Sequence, residues 1–337
     1  MVQNTELDKY LKAKGKYPVV YMPQNPVHRI LSEFLNGKKI IKTLGIDIIY
    51  SYFGTARFPK AVPQVSGSAE SNLYFPELDF WQEYSGIKKL LRRINDRYRI
   101  WGLKRVKAVI FENEIMQKRC EQIYRISNTV WIKPSFTKSH VNLPYQIPLA
   151  AKSSKFRGLF FCGWQRNKNF MIIPRLAAAF KKASINFHFI LTAPPDNSDE
   201  HRNFLRLIEK YDAADSISIV GPVKKSEIPS LYEQVDFVFL LSKLESFSNN
   251  IIEAWHFKRL LIIADEPWSR SICGDSAVYV SRDDAENIVS GIMTVIKNDA
   301  KKIDIIRRGT AILQQYPSIE ERTEQEIAYL TYIFNHA

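Results

Sequence analysis

Long apolar runs are missing from this chain of 337 residues. No stretch of about 18 or more uncharged apolar residues occurs, so no helix is expected to span a bilayer, and the N-terminus lacks the apolar core of a secretion signal. The expectation is a cytoplasmic protein. Cysteine is scarce: Cys120, Cys162 and Cys273 are odd in number and scattered, which fits a reducing compartment and gives no metal-site spacing. Cys162 ends a strand-like run and is expected to be a buried apolar residue. No Asp-x-Asp pair occurs, so a carboxylate cage for Mg²⁺ is not expected and no cofactor is assigned. No finger, helix-turn-helix or RNP-like signature accompanies the positive charge, which argues against nucleic acid as a partner. Internal repeats and low-complexity segments are absent too.

What the chain does have is apolar material for two domains of ordinary size, 45% hydrophobic residues over its length. Its net charge of +13 is unevenly spread. Residues 1–150 hold 24 Lys+Arg against 12 Asp+Glu, and residues 151–337 hold 24 against 23. The excess concentrates between Lys88 and Lys107, a basic amphipathic segment with aromatic residues mixed in. Such a segment is either a solvated outer helix of a sheet domain or a peripheral contact with an anionic membrane.

Strand-like and helix-like patterns alternate in both halves. In the first, Tyr17–Met22, Ile46–Phe53, Ala61–Ser66 and Lys107–Glu112 read as apolar strands; in the second, Gly158–Cys162, Phe187–Thr192, Ser216–Val220, Phe237–Leu241 and Leu260–Ala264 do. This alternation predicts an α/β protein with parallel, doubly wound sheets. Lys133–Pro148 combines three prolines with polar residues and no period, and is expected to be the linker. The expected division is a domain over residues 1–145, shortened at its start, a second over 150–315, and a final helix over 316–337 that crosses back to the first.

The most informative stretch joins the strand at Phe237 to the helix-like segment after it, with Glu245 and Glu253 eight residues apart. A strand ends, a turn carries one acid, and a helix begins with the other. A helix start offers unpaired N–H groups and the positive end of the dipole, which suit a phosphate or diphosphate. The competing interpretation is structural: Asn250 as N-cap, Glu253 as its capping-box partner, and Glu245 a solvated loop residue.

Val235–Trp255 followed by Leu260–Asp265 resembles the donor-site signature of retaining glycosyltransferases of family 4. The spacing E-x7-E, the strand after the helix, and the preceding Gly221–Val223 and Ile228–Tyr232 segments carry the resemblance, which covers most of residues 156–290. It implies a GT-B architecture of two Rossmann-like domains facing a cleft. It implies that Glu245 orients the donor sugar, Glu253 holds the ribose, and Ser248, Asn249, Asn250 and Ile251 receive the diphosphate at the helix start. Base contacts are expected near Val223 and Leu231. Phe161–Phe170 looks like the family's basic donor loop, with Gly163 at the turn and Arg166 and Lys168 neutralising the departing diphosphate. Trp164 stands just after the glycine, where the family often has arginine.

The start of the chain departs from that pattern. Residues 1–16 are polar, and the first strand-like run leads into Pro23–His28 instead of a glycine-rich loop. Gly67, Ser68 and Ala69 occupy the region where a histidine is common; His28 is the one histidine early enough to substitute, its alternative being the more frequent structural role of an isolated histidine. The aromatic connections at 54–60 and 71–81 are the expected acceptor contacts. The implied activity is metal-independent, retaining transfer of a sugar from a nucleotide-diphosphate donor to a glycan or lipid-linked acceptor in bacterial surface polysaccharide synthesis. The chain would act in the cytoplasm, at the inner face of the membrane. A sugar-nucleotide-binding protein without turnover, or a nucleotide-sugar epimerase of the same architecture, is the alternative.

Overall fold

The computed structural model describes residues 25–54, 62–136 and 141–336. The expected strand Tyr17–Met22, the polar residues before it, most of the 54–60 connection and residues 137–140 of the linker lie outside them.

Two parallel sheets form the molecule. In the first, β1 (Ile49–Ser51), β2 (Gln64–Ser68), β3 (Ala108–Phe111) and β4 (Thr129–Trp131) lie side by side in chain order. The second holds β5 (Phe156–Phe160), β6 (Phe187–Leu191), β7 (Ile217–Ile219), β8 (Phe237–Leu240), β9 (Leu260–Ala264) and β10 (Val278–Val280), in the order β10-β9-β8-β5-β6-β7. Because β5 pairs with both β6 and β8, the order reverses there. A crevice at the carboxyl ends of β5 and β8 is therefore the place where such a sheet binds ligands.

Three differences from the sequence expectations concern short elements. β4 and β10 have three residues each, too few for periodicity to register. β2 runs on to Ser68, so Gly67 lies inside the strand, not after it. Glycine is required there because a Cβ would come within 1.8 Å of the Tyr52 carbonyl oxygen.

One apolar cluster continues from the first half into the second, joining Tyr74, Phe75, Met116 and Cys120 to Trp268, Cys273 and Leu240. Its bridge is the helix Pro267–Cys273, which packs on the helix Glu114–Tyr124. Trp268 is fully buried in it, and the Asn113 amide donates to the Trp268 carbonyl at 3.4 Å. The chain passes from the first sheet to the second through residues 132–148, where Leu143 and Tyr145 bond to Ser226 and Ser230.

It then returns. The final helix, Ile319–Asn335, starts at a Ser318/Glu321 capping box and lays Ile333 against Val65, Ala108 and Ile110 of the first sheet. Arg322, almost wholly buried, bonds Glu112 and Glu326, each at 2.9 Å. Where the two passages meet, Phe136 N–H donates to Pro317 O at 3.0 Å and Lys133 Nζ to Gln315 Oε1 at 3.1 Å.

Candidate functional site

The loops after β5 and β8 meet at the switch point of the second sheet. The Lys243 N–H donates to Asn167 O at 2.9 Å, which ties one loop to the other. The β5 loop turns through a short 3₁₀ segment, Arg166–Lys168, and leaves it at Asn169 in the left-handed region (φ 59°). Gly163 is not in that region; its N–H is bonded by the Gln165 side chain at 3.0 Å. So Asn169, whose amide also holds Arg282 O at 2.6 Å, supplies the sharp reversal expected of the glycine.

At the centre, Lys168 Nζ lies 2.6 Å from Glu245 Oε1, both side chains mostly shielded from solvent. Cys162 lies beneath the pair, and burial pushes its thiol up to about 12, which leaves it a neutral apolar residue.

The helix after β8 spans Asn249–His256. Its N-cap is Ser248, in an extended conformation and making no side-chain cap bond, so no side chain caps the amides of its first turn. Asn250 lies within the helix and donates its side-chain amide to Phe161 O at 3.0 Å. Glu253 accepts from the Tyr232 hydroxyl at 2.7 Å. Neither belongs to a capping box, so the N-cap role expected of Asn250 falls to Ser248, and both side chains instead bond neighbouring elements. Burial raises the Glu253 carboxyl above the ordinary range, against the lowering effect of the Tyr232 bond.

Asn249 is exposed and Val223 half-buried, just after Gly221 in its left-handed conformation (φ 76°). Leu231 and Ile251 are wholly buried in the core. The Leu231 side chain therefore offers no surface to a ligand, and neither does Ile251, whose N–H donates to Ser248 O at 3.0 Å.

Arg166 is placed differently from the sequence expectation. Its guanidinium is held by Glu200 at 2.9–3.0 Å and by Glu83 O at 3.0 Å, with the Tyr84 ring 5.5 Å below. It lines a cavity of about 360 Å³ with Trp81, Tyr84, Trp164 and Glu200. Among the described residues, Lys168 alone is the cation on Glu245.

Sequence reasoning missed two further cations. Lys243, two residues before Glu245, donates to Asp79 O at 3.0 Å and borders that cavity and a second of about 630 Å³. Arg282, largely buried after β10, donates to Leu241 O at 3.2 Å. Lys243 was findable as the first charged residue after an apolar strand; Arg282 follows a strand too short to be seen. His28 lies exposed in the first turn of the helix Pro26–Leu44.

Comparison with known proteins places these observations. Residues 159–311 match the family described as Glycosyl transferases group 1. No curated protein matches the chain. Among solved structures, a sucrose-phosphate synthase from Thermosynechococcus elongatus superposes with a TM-score of 0.71 at 15% identity, covering 95% of this chain and 82% of that one. HepE from Anabaena, solved with UDP and glucose, gives 0.66 at 19%, covering 97% and 89%. A glycosyltransferase from Rickettsia africae gives 0.67 at 16%, covering 99% and 89%. The fold they share with this chain is the two-sheet GT-B architecture.

Proposed function

We propose that this chain, which has a GT-B fold and matches the glycosyl transferases group 1 family over residues 159–311, moves a sugar from a nucleotide-diphosphate donor to a glycan or lipid-linked acceptor with retention of anomeric configuration. The observation that carries this reading is the Lys168–Glu245 pair at the switch point, beside a helix start that no side chain caps.

Breaking the bond between anomeric carbon and diphosphate builds negative charge on the departing phosphate and positive character on the sugar ring. Lys168 and the amides of Ser248, Asn249 and Asn250 at the helix start stabilise the phosphate charge. The Lys168 ammonium has three donors, so it can hold Glu245 and a phosphate oxygen together. Glu245 accepts from sugar hydroxyls, and its negative charge favours a developing oxocarbenium. Glu253, steadied by Tyr232, accepts from ribose hydroxyls. Lys243 takes the second cationic position first assigned to Arg166, since Arg166 is engaged by Glu200. With cations opposite the diphosphate, no divalent metal is required. The role we assign is in bacterial surface polysaccharide synthesis, on the cytoplasmic face of the membrane.

A binding protein without turnover is the second reading, and the engagement of Arg166 by Glu200 favours it. A thermal-shift panel of UDP, GDP, ADP, CMP and their sugar conjugates, without added metal, tests the donor site. A ligand at 100 times its Kd stabilises by about 2.7 kcal/mol. A shift for one nucleotide, lost in Lys168→Ala, supports it; no shift with any overturns it. Incubating the responding conjugate with glycan and lipid-linked acceptors then separates the readings: an α or β product matching the donor's anomer marks a retaining enzyme, and binding without product marks a non-catalytic protein.

A further inference from the structure

The helix Gly86–Leu103 wears its amphipathicity inside out. A surface helix of a globular domain turns its apolar stripe to the core. Here Ile87, Leu90, Leu91, Ile94 and Trp101 are 43–76% exposed, and they recur at i, i+3, i+4, i+7 and i+14 on one face. Tyr98, at i+11, stacks on Trp101 at 5.7 Å and continues the stripe.

As far as Arg99 the polar residues are what face the protein, and Ile100 and Leu103 then anchor the last turn in the core. Lys89 bonds Asp79 at 2.5 Å, Arg92 lies 4.6 Å over Trp81 and 4.0 Å over Tyr84, and Arg99 pairs with Glu70. Asp96, the one acid of this helix, accepts from the Trp81 indole and is mostly buried. The outward face of the helix is left with no acid, and with Lys88, Arg97 and Lys104 along its flanks; Arg93 is exposed but paired with Asp79 at 3.5 Å.

We propose that this face is a docking surface for an anionic lipid bilayer. An apolar stripe, an aromatic pair that suits the headgroup region and flanking cations without a single outward acid are the complement of acidic headgroups over acyl chains. The first half of the chain holds 24 Lys+Arg against 12 Asp+Glu, so its longer-range field draws it the same way.

The helix also begins at the rim of the cleft. The loop before it sends Asp79 O to Lys243 and Glu83 O to Arg166. A bilayer against the stripe lies next to those contacts, where a lipid-anchored acceptor would present its glycan. That consequence rests on the glycosyl-transfer reading; the lipid binding itself does not.

Flotation of the full chain with phosphatidylglycerol/phosphatidylcholine vesicles, against phosphatidylcholine alone, is the test. The expected result is binding to the mixed vesicles that weakens with salt and is at least tenfold poorer on phosphatidylcholine. Lys88→Gln/Arg97→Gln is expected to weaken it by about fivefold per cation. Leu91→Glu/Ile94→Glu is expected to abolish it while leaving the melting temperature and the nucleotide shift of the same sample unchanged. Absence of binding by the unaltered chain overturns the proposal, as does equal binding by both variants. A dimer in sedimentation that Leu91→Glu/Ile94→Glu dissolves, without vesicle binding, would make the stripe a contact between copies and overturn it as well.

Discussion

Among the described residues, the larger sheet buries β6, β8 and β9 along their whole length and leaves its edge strand β7 half-exposed; the smaller sheet buries β2 and β3 and leaves both outer strands, β1 and β4, half-exposed. The larger sheet makes a core of its own, rich in stacked phenylalanine, such as Phe160 on Phe239 at 4.8 Å. The smaller borrows. Its lower face is closed by the final helix, and its upper end shares a cluster with Trp268. In the reaction proposed above, the sheet with its own core positions the loops that would hold the diphosphate, and the sheet that borrows its core would lie on the acceptor side.

Trp268→Ala would break that arrangement at its bridge. Removing a wholly buried indole from a shared cluster is expected to cost about 3–5 kcal/mol. Urea unfolding followed by circular dichroism should show an earlier transition belonging to the smaller sheet; a single unshifted transition would mean that the halves do not depend on each other through this residue.

Lys168→Ala or Glu245→Ala touches the chemistry of the larger half instead. Transfer is expected to fall by about 10²–10³-fold, equal to about 2.7–4 kcal/mol, with the melting temperature nearly kept. An initial-rate assay with the responding donor decides it, and unchanged rates would remove the pair from the mechanism.

Two strand glycines sharpen the contrast. In Gly67→Ala the new methyl meets backbone, and in Gly158→Ala it meets the Phe239 and Phe187 rings at 2.5 and 2.7 Å. Overpacking of this kind costs about 1–3 kcal/mol, and the backbone clash is expected to cost more. Denaturation midpoints of the two variants rank them; the reverse order would show that the smaller sheet yields more easily than its geometry implies.

The smallest effect is a pH dependence. The folded state raises the Glu253 pKa, so its contribution to stability is full below the ordinary carboxylate value of about 4.3 and is lost as pH rises through the raised value. Glu253→Gln is expected to melt slightly higher than the parent at neutral pH, with the gap closing in acid. A gap that widens in acid would mean that the bond from Tyr232 outweighs the burial.

Much of the larger sheet could be read in advance because its strands are continuous apolar runs, from Phe187 to Leu191 or Leu260 to Ala264. The acids of the site were visible for a related reason: Glu245 and Glu253 interrupt such a run at a strand end and in the helix after it. What could not be read depends on partners distant in the chain. Arg166 is claimed by Glu200, 34 residues on, and Glu253 by Tyr232, 21 residues back. The outward stripe of Gly86–Leu103 has ordinary helical spacing, and only packing reveals which way it turns.

The two passages between the halves run side by side and bond to each other, at Phe136 to Pro317 and Lys133 to Gln315. A single tether would let one half swivel freely on the other; a joined pair defines an axis. Any movement of one half on the other would then have to pivot there, with residues 132–136 and 315–317 at the jamb. The outer edge is where the 77–85 loop meets Lys243 and Arg166. A few degrees at that axis would make or break those contacts while the joined passages barely move.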